Sequence, residues 1–256
     1  MIAVCIATYN HEAYIAQAIE SVLAQVCDDP IRVYIGDDAS TDGTQAVCER
    51  YAADQRIVYV RREKNLGLVS NTIDLYRRIL KEGCDYIAML DGDDYWTDEK
   101  KLQRQVDYLR EHPEVGFVHT AAEGQGDETI PTGDMSQCYD RSGARQTNST
   151  VLFRASLLHE ADLAEIEQQG FPVLDYPLYG IFSQHTQFGY LPIATAVWRE
   201  HISVSRPSSV GAQIRYKKER IRIWHWLDKK YNGHFHFRWY RAILWYLWQI
   251  FYILFA

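Results

Sequence analysis

A chain of 256 residues, 47% hydrophobic and 24% charged, holds enough apolar sequence to bury a sizeable core, which excludes a disordered polypeptide. Its five cysteines (Cys5, Cys27, Cys48, Cys84 and Cys138) are odd in number, widely spaced and free of any CxxC pair, so neither a disulfide framework nor a zinc site is expected. The formal net charge of -7 hides an asymmetry: from Arg215 onward nine Lys/Arg stand against Glu219 and Asp228, a surplus of +7, which leaves -14 for the rest. An acidic body with a basic, aromatic tail argues against a nucleic-acid partner.

The N-terminal stretch Met1-Ile2-Ala3-Val4-Cys5-Ile6 carries no basic leader and no small-residue cleavage site. Together with the cysteine usage this predicts a cytoplasmic location. Short runs rich in β-branched residues then alternate with segments of helical period: 2–7 and 13–25, 31–35 and 44–53, 57–60 and 68–80, 86–90 and 100–111. Runs that are apolar without strict alternation suit parallel strands covered on both faces. The expectation is an α/β fold with an open, mostly parallel sheet flanked by helices. Residues 124–143 are polar and Gly-rich and read as a long loop. Beyond it, 150–154 and 188–199 read as strands, 176–183 as a short helix, and 215–230 and 236–255 as helices.

Ligands of such sheets gather at the carboxyl ends of the strands. Those ends are polar here: Thr8-Tyr9-Asn10, Asp37-Asp38-Ala39-Ser40 and Asp91-Gly92-Asp93-Asp94. Three carboxylates on four residues repel one another unless a cation or hydrogen-bond donors compensate. Mg²⁺ or Mn²⁺ would do so and keep open positions for diphosphate oxygens. The alternative is an ordinary Asp/Gly turn, with Asp98 capping the next helix. In the second strand end, one of Ser40, Thr41 or Asp42 is expected to cap the following helix. Capping does not require Asp37 or Asp38, and a carboxylate fixed there can accept a pyrimidine imide N–H or a ribose hydroxyl proton.

In this order and at these separations, Thr8-Tyr9-Asn10, Asp37-Asp38-x-Ser40-x-Asp42-Gly43-Thr44, Asn65-x-Gly67 and Leu90-Asp91-Gly92-Asp93-Asp94 resemble the family 2 inverting glycosyltransferases of GT-A fold. The likeness is strong over residues 1–120 and weaker to 205, through 149–154, 175–178 and 196–201; nothing in the basic tail takes part in it. It implies a catalytic domain over 1–205, with a donor half (1–120) and an acceptor half (145–205), followed by a helical tail over 212–256. By the resemblance, Thr8, Tyr9, Asn10 and Asn65 belong to the nucleotide-sugar pocket and Asp38 accepts the base imide. Asp91 faces the ribose or the metal edge, Asp93 is the principal metal ligand, and Asp94 reaches the donor sugar or holds the geometry. The family's DXD motif is met by Asp91-Gly92-Asp93. Arg199 or Arg206 would neutralise the leaving diphosphate, with a surface salt bridge as the alternative.

An inverting transfer also needs a base for the acceptor hydroxyl. The resemblance places it at Asp175, before Tyr176-Pro177-Leu178; on the residues alone Asp175 reads equally as a helix N-cap, and Glu165 and Glu167 are rivals. His201 stands where relatives complete the metal shell or contact the diphosphate, although a lone histidine is also compatible with a structural place. The implied reaction moves a sugar from a UDP- or dTDP-sugar to a hydroxyl on a glycan, lipid-linked or protein acceptor, in bacterial polysaccharide or other envelope glycan synthesis. Rival readings are a silent nucleotide-sugar-binding scaffold of the same fold and a sugar nucleotidyltransferase. For the latter, the Gly-rich phosphate loop expected after the first strand is replaced by Thr8-Tyr9-Asn10-His11-Glu12.

Residues 239–256 (WYRAILWYLWQIFYILFA) are intensely apolar and aromatic, but shorter than the roughly 20 residues that span a bilayer. Preceded by the +7 segment, they suit a helix lying on the anionic inner face of the cytoplasmic membrane. A helix docked on its own domain or pairing in a dimer is the alternative.

Overall fold

The computed structural model describes residues 1–124, 129–130, 147–199 and 209–233, with seven separate positions between 240 and 252. The strand β1 (Ile2–Thr8) lies inside the sheet, paired in parallel with β2 (Ile31–Asp37) on one side and β4 (Tyr86–Asp91) on the other; β2 in turn pairs with β3 (Ile57–Arg61). All seven residues of β1 are buried, because helices cover both faces of the sheet. Alternation sorts the side chains. Ile2, Val4 and Ile6 pack with α1 (Ile15–Leu23), α2 (Thr44–Glu49) and α4 (Lys101–Glu111). Ala3 and Cys5 pack on the other face with α3 (Leu68–Glu82), α5 (Glu160–Gln169), α6 (Asp175–Phe182) and α7 (Val210–Lys230). The burial of β1 follows from its unbroken apolar run, as the sequence predicts.

Past β4 the sheet continues through β8 (Leu152–Arg154), β6 (Val115–Gly124), β9 (Gln187–Trp198) and β5 (Tyr95–Trp96), giving the order β3-β2-β1-β4-β8-β6-β9-β5. A further pair of residues, β7 (Thr129–Ile130), joins β6. The first half of the sheet is wholly parallel. In the second half β8 is antiparallel to both β4 and β6, β5 is antiparallel to β9, and β6 runs parallel to β9.

Several boundaries differ from the expectation. The strand read over 150–154 begins at Leu152, because Asn148–Thr150 form a 3-10 turn packed beside the end of β4. Three strands and one α-helix escape sequence reading: β5; β7, inside the segment read as a loop; β6, whose Gly116, His119 and Thr120 interrupt its apolar pattern; and α5, whose Glu-rich sequence buries only Leu163 and Ile166. The expected helix over 236–255 falls largely outside the described residues, and most of the polar loop at 124–143 does too. Among the described residues no helix is long and apolar enough to cross a membrane.

Gly36 in β2 marks a close approach between the sheet and α3. A Cβ there would stand 2.8 Å from Asn71 Oδ1 and 2.8 Å from Leu75 Cδ1. Asn71 cannot turn aside cheaply, since its Nδ2 donates to the Gly36 carbonyl at 2.8 Å. Gly36→Ala is expected to cost about 1–3 kcal/mol by overpacking. A denaturant titration reads this as a lowered midpoint, and an unchanged midpoint contradicts it.

Candidate active site

The parallel registers bring three strand ends to one edge, with Thr8 opposite Asp37 and Ala7 opposite Asp91. The chain segments leaving β2 and β4 are tied to β1: Asp38 N donates to the Thr8 carbonyl at 3.0 Å and Gly92 N to the Ala7 carbonyl at 3.1 Å. A Cβ at Gly92 would lie 2.8 Å from Thr8 Oγ1 and 2.9 Å from His11 Nδ1, so only glycine lets the turn after β4 sit on the end of β1. Thr8 is buried, and its Oγ1 has no hydrogen-bond partner. Asn10 and Ala39, just past β1 and β2, hold positive φ angles of 55° and 60°, a left-handed backbone that is uncommon away from glycine.

The turn Asp91-Gly92-Asp93-Asp94 is stitched to the 3-10 turn at Asn148–Thr150. Ser149 Oγ accepts from Asp91 N at 3.1 Å and donates to Asp94 Oδ2 at 2.5 Å. Asn148 Nδ2 donates to Asp91 Oδ1 at 3.0 Å, and Tyr179 OH donates to Asn148 Oδ1 at 2.7 Å. Asp94 is 1% exposed. Asp93 keeps a partly open side chain, with Oδ2 3.8 Å from His11 Nε2. Burial first, then the neighbouring Asp93 charge, pushes the Asp91 carboxyl up to about 7. Burial first, then the charges of Asp91 and Asp93, pushes Asp94 up to about 8. Three carboxyls crowded this way are short of positive charge.

The antiparallel pairing of β5 with β9 delivers Arg199 to the same turn. Its backbone N donates to Asp94 Oδ1 at 2.9 Å, its Nη1 donates to the Asp93 carbonyl, and its Nη2 donates to Gln17 Oε1 at 2.5 Å. The guanidinium also lies 4.7 Å from the Tyr95 ring centroid and 5.0 Å from that of Tyr14. Expected as a diphosphate contact, Arg199 thus braces the acidic turn in this structure.

The other expected residues divide in a similar way. Asp38 is buried, and both its oxygens accept backbone N–H groups, from Leu66 at 2.7 Å and Gly67 at 2.8 Å. It therefore pins the loop before α3, where Gly67 takes φ 86°. Asn65 is exposed and accepts from Gly67 N at 3.0 Å. Asn10 Oδ1 accepts from Thr41 N at 2.8 Å, joining the loops after β1 and β2. Tyr9 is 42% exposed. Asp37 is wholly buried, accepting from Ser40 N and Tyr59 OH at 2.8 Å each, which makes it part of the frame. Of the expected capping residues, Asp42 accepts from Thr44 N at 3.0 Å, and Asp98 accepts from Lys100 N at 2.8 Å.

Asp175 is the first residue of α6, which starts without a side-chain cap. Burial raises its carboxyl above the ordinary range; Arg220, on α7, opposes the rise. Asp175 in turn contributes to the upward shift of Asp91, which links the two carboxyls electrostatically. The rival glutamates are engaged elsewhere: Glu165 accepts from Trp226 Nε1 at 3.1 Å and from Lys230, and Glu167 pairs with Arg77 at 3.0 Å. His201 and Arg206 lie outside the described residues. Among the described residues no group of three or more His, Cys, Asp or Glu is arranged as a ready metal cage. Sequence reasoning missed Asn148, Ser149, Tyr179 and Arg220; the one available signal was the polar pair Asn148-Ser149 directly before a strand.

A family model described as Glycosyl transferase family 2 matches residues 3–157. The uncharacterized protein Rv1520 of Mycobacterium tuberculosis is 33% identical over 208 residues, covering 76% of this chain and 57% of its own length. The match thus spans little more than half of that relative. Among solved structures, S. aureus TarS 1-349 in complex with UDP-GlcNAc is similar with a TM-score of 0.62 at 17% identity, covering 92% of this chain and 73% of that one. The mannosyltransferase PcManGT from Pyrobaculum calidifontis, in complex with GDP-Man and Mn²⁺, is similar with a TM-score of 0.60 at 19% identity, covering 88% and 63%. At these identities the two structures establish the fold, a GT-A arrangement.

The raised carboxyls carry a pH signature. Folded Asp91 and Asp94 hold their protons to about 7 and about 8, whereas the unfolded chain releases them near 3.8. Their contribution to stability is complete below the unfolded value and is lost as pH rises through the folded values. In chelator, Asp91→Asn is therefore expected to gain thermal stability relative to the unmodified chain as pH rises from 5 to about 8. A difference between the two melting temperatures that does not change with pH contradicts the crowding.

Proposed function

The chain belongs to glycosyl transferase family 2, and from that premise we propose that it transfers a sugar, with inversion, from a UDP- or dTDP-sugar to an acceptor hydroxyl in the synthesis of an envelope glycan. The observation that carries this reading is the charge-poor cluster of Asp91, Asp93 and Asp94 at the end of β4, with Asp175 electrostatically coupled to it. Hard carboxylate oxygens in excess of nearby positive charge are the donor set that Mg²⁺ or Mn²⁺ takes. Asp93 would be the principal ligand, assisted by Asp91 and His201. A divalent cation held there stabilises charge on the departing nucleoside diphosphate.

The chain's own residues do the rest. Tyr9, 42% exposed beside the β1 end, is free to flank the nucleobase, and Thr8 offers an unpartnered hydroxyl. Asp38 holds the 65–67 loop and retains lone pairs for the base imide. Asp94, gripped by Ser149 and Arg199, keeps the acidic turn in shape while Asp91 faces the donor. Asp175 takes the acceptor proton as the new glycosidic bond forms, so no covalent enzyme intermediate is needed. The bound partners of PcManGT and TarS, a nucleotide sugar in each and Mn²⁺ in the former, support a donor of this class.

The tail is assigned to peripheral contact with an anionic membrane. Tyr240, Leu244, Leu247, Trp248, Phe251 and Tyr252 are each more than half exposed, so apolar and aromatic surface is available for such a contact. The basic segment from Arg215 supplies the complementary charge.

Two measurements test these assignments. Asp175→Asn is expected to lower kcat by about 10²–10⁴ with donor affinity kept, and Asp93→Ala to abolish metal-stimulated nucleoside diphosphate release. Full activity in Asp93→Ala would sink the metal assignment, and donor binding without any transfer would leave the scaffold reading standing. In sedimentation with phosphatidylglycerol vesicles, the combined Leu247→Ser, Trp248→Ser and Phe251→Ser variant should lose most of its binding. Equal sedimentation of variant and parent refutes the membrane contact.

A further inference from the structure

The basic tail resembles nothing in the catalytic pattern, yet α7 returns to the site. Its Ile223, Trp224 and Leu227 are buried in the same cluster as Leu178, Tyr179, Ile181 and Phe182 of α6. The two helices are close: a Cβ at Gly180 would stand 2.5 Å from Leu227 Cδ1. Arg222 Nη1 donates to the Gln169 carbonyl at 2.8 Å, and Lys230 pairs with Asp162 at 3.2 Å, fixing α7 along the length that carries Arg220.

Arg220 is 6% exposed. Its guanidinium carbon lies 3.0 Å from the ring centroid of Tyr176, the residue after Asp175, and its Nη1 donates to Tyr216 OH at 3.4 Å. Burying a guanidinium costs several kcal/mol unless an anion answers it. Among the described residues, side chains that couple electrostatically to Asp175 include Asp91 from β4, Tyr76 from α3, Tyr179 from α6, and Tyr216 and Arg220 from α7. Arg220 is the cation of this set. The backbone N–H groups of Asp175 and Tyr176 also favour a negative charge on Asp175, adding to the Arg220 charge.

We propose that Arg220 is a positioning residue for Asp175: a buried cation, delivered by the basic helix, that faces the carboxylate at the head of α6 and holds it ionised and oriented. The proposal rests on the reading of Asp175 as base. It assigns one arginine of the +7 segment to the reaction, beside the Arg222 and Lys230 contacts that dock α7. The competing role is plain docking of α7 on α6, in which the charge pair would have no bearing on turnover.

The test is a double-mutant cycle in turnover. Nucleoside diphosphate release from UDP-GlcNAc, dTDP-rhamnose or GDP-mannose is followed for Arg220→Met, Arg220→Lys, Asp175→Asn and the Arg220→Met, Asp175→Asn pair, with thermal melts on each. Arg220→Met, which keeps an apolar stem of similar reach, is expected to lower kcat by about 30-fold with KM for the donor within about threefold. Arg220→Lys should recover most of the loss, and adding Arg220→Met to Asp175→Asn should cost less than about threefold more. Multiplicative losses in the pair, or kcat for a folded Arg220→Met within about threefold of the parent, overturn the proposal. Should Arg220→Met not fold, the Lys variant decides: a folded Arg220→Lys as slow as Asp175→Asn overturns it, and one near the parent supports it. Undiminished kcat in Asp175→Asn would remove the base reading instead, a separate outcome.

Discussion

Repulsion among Asp91, Asp93 and Asp94 is the constraint to which the surrounding structure responds. Three carboxyls on one turn, backed by buried strands, are unfavourable as anions, and every neighbouring element contributes a donor or a brace. The 3-10 turn before β8 gives Asn148 Nδ2 and Ser149 Oγ; the end of β9 gives the Arg199 amide and guanidinium; β1 presses so close that only glycine fits at Gly92. These donors shape the turn without neutralising it, since Asp91 and Asp94 still hold protons to about 7 and about 8. The divalent cation proposed for this turn would fill that deficit, with the nucleoside diphosphate of a sugar donor as its counterpart.

Much of this was legible in the sequence, for identifiable reasons. The apolar runs before Thr8, Asp37 and Asp91, broken only by Arg32 in β2, announce parallel strands covered on both faces, and their polar ends announce the sheet edge at which ligands of such folds gather. The short helix read over 176–183 is observed over Asp175–Phe182, whereas the base role of Asp175 came from the family resemblance and not from the residues alone. Partnership was not legible. Ser149 bridges Asp91 and Asp94 across more than fifty residues, which no local period records. Arg199 advertised a cation for a ligand, and its guanidinium is taken up by the Asp93 carbonyl and Gln17. Asp38 advertised a base contact, and its oxygens carry the loop at Leu66 and Gly67 as well. In each case the residue type was informative and the partner came from tertiary register.

The charge asymmetry of the chain gains a physical sense from α7. A +7 segment attached to an acidic body first reads as an appendage serving location alone. The helix instead turns Arg220, Ile223, Trp224 and Leu227 inward, where the apolar residues dock on α6 and the arginine packs over the ring of Tyr176, the residue after Asp175. Of its other cations, Arg222 and Lys230 bond to α5, while Arg215, Lys218 and Lys229 are exposed. One segment thus couples the proposed base to the part of the chain proposed to meet a membrane.

The most direct measurement is a calorimetric titration of UDP with and without Mn²⁺, on the parent chain and on Asp93→Ala. A site whose deficit of positive charge is filled by the cation should bind UDP at least about tenfold more tightly with Mn²⁺, close to 1.4 kcal/mol, and Asp93→Ala should lose that gain. Equal UDP affinity with and without Mn²⁺ on the parent chain, or a metal-dependent gain that survives Asp93→Ala, would contradict the account.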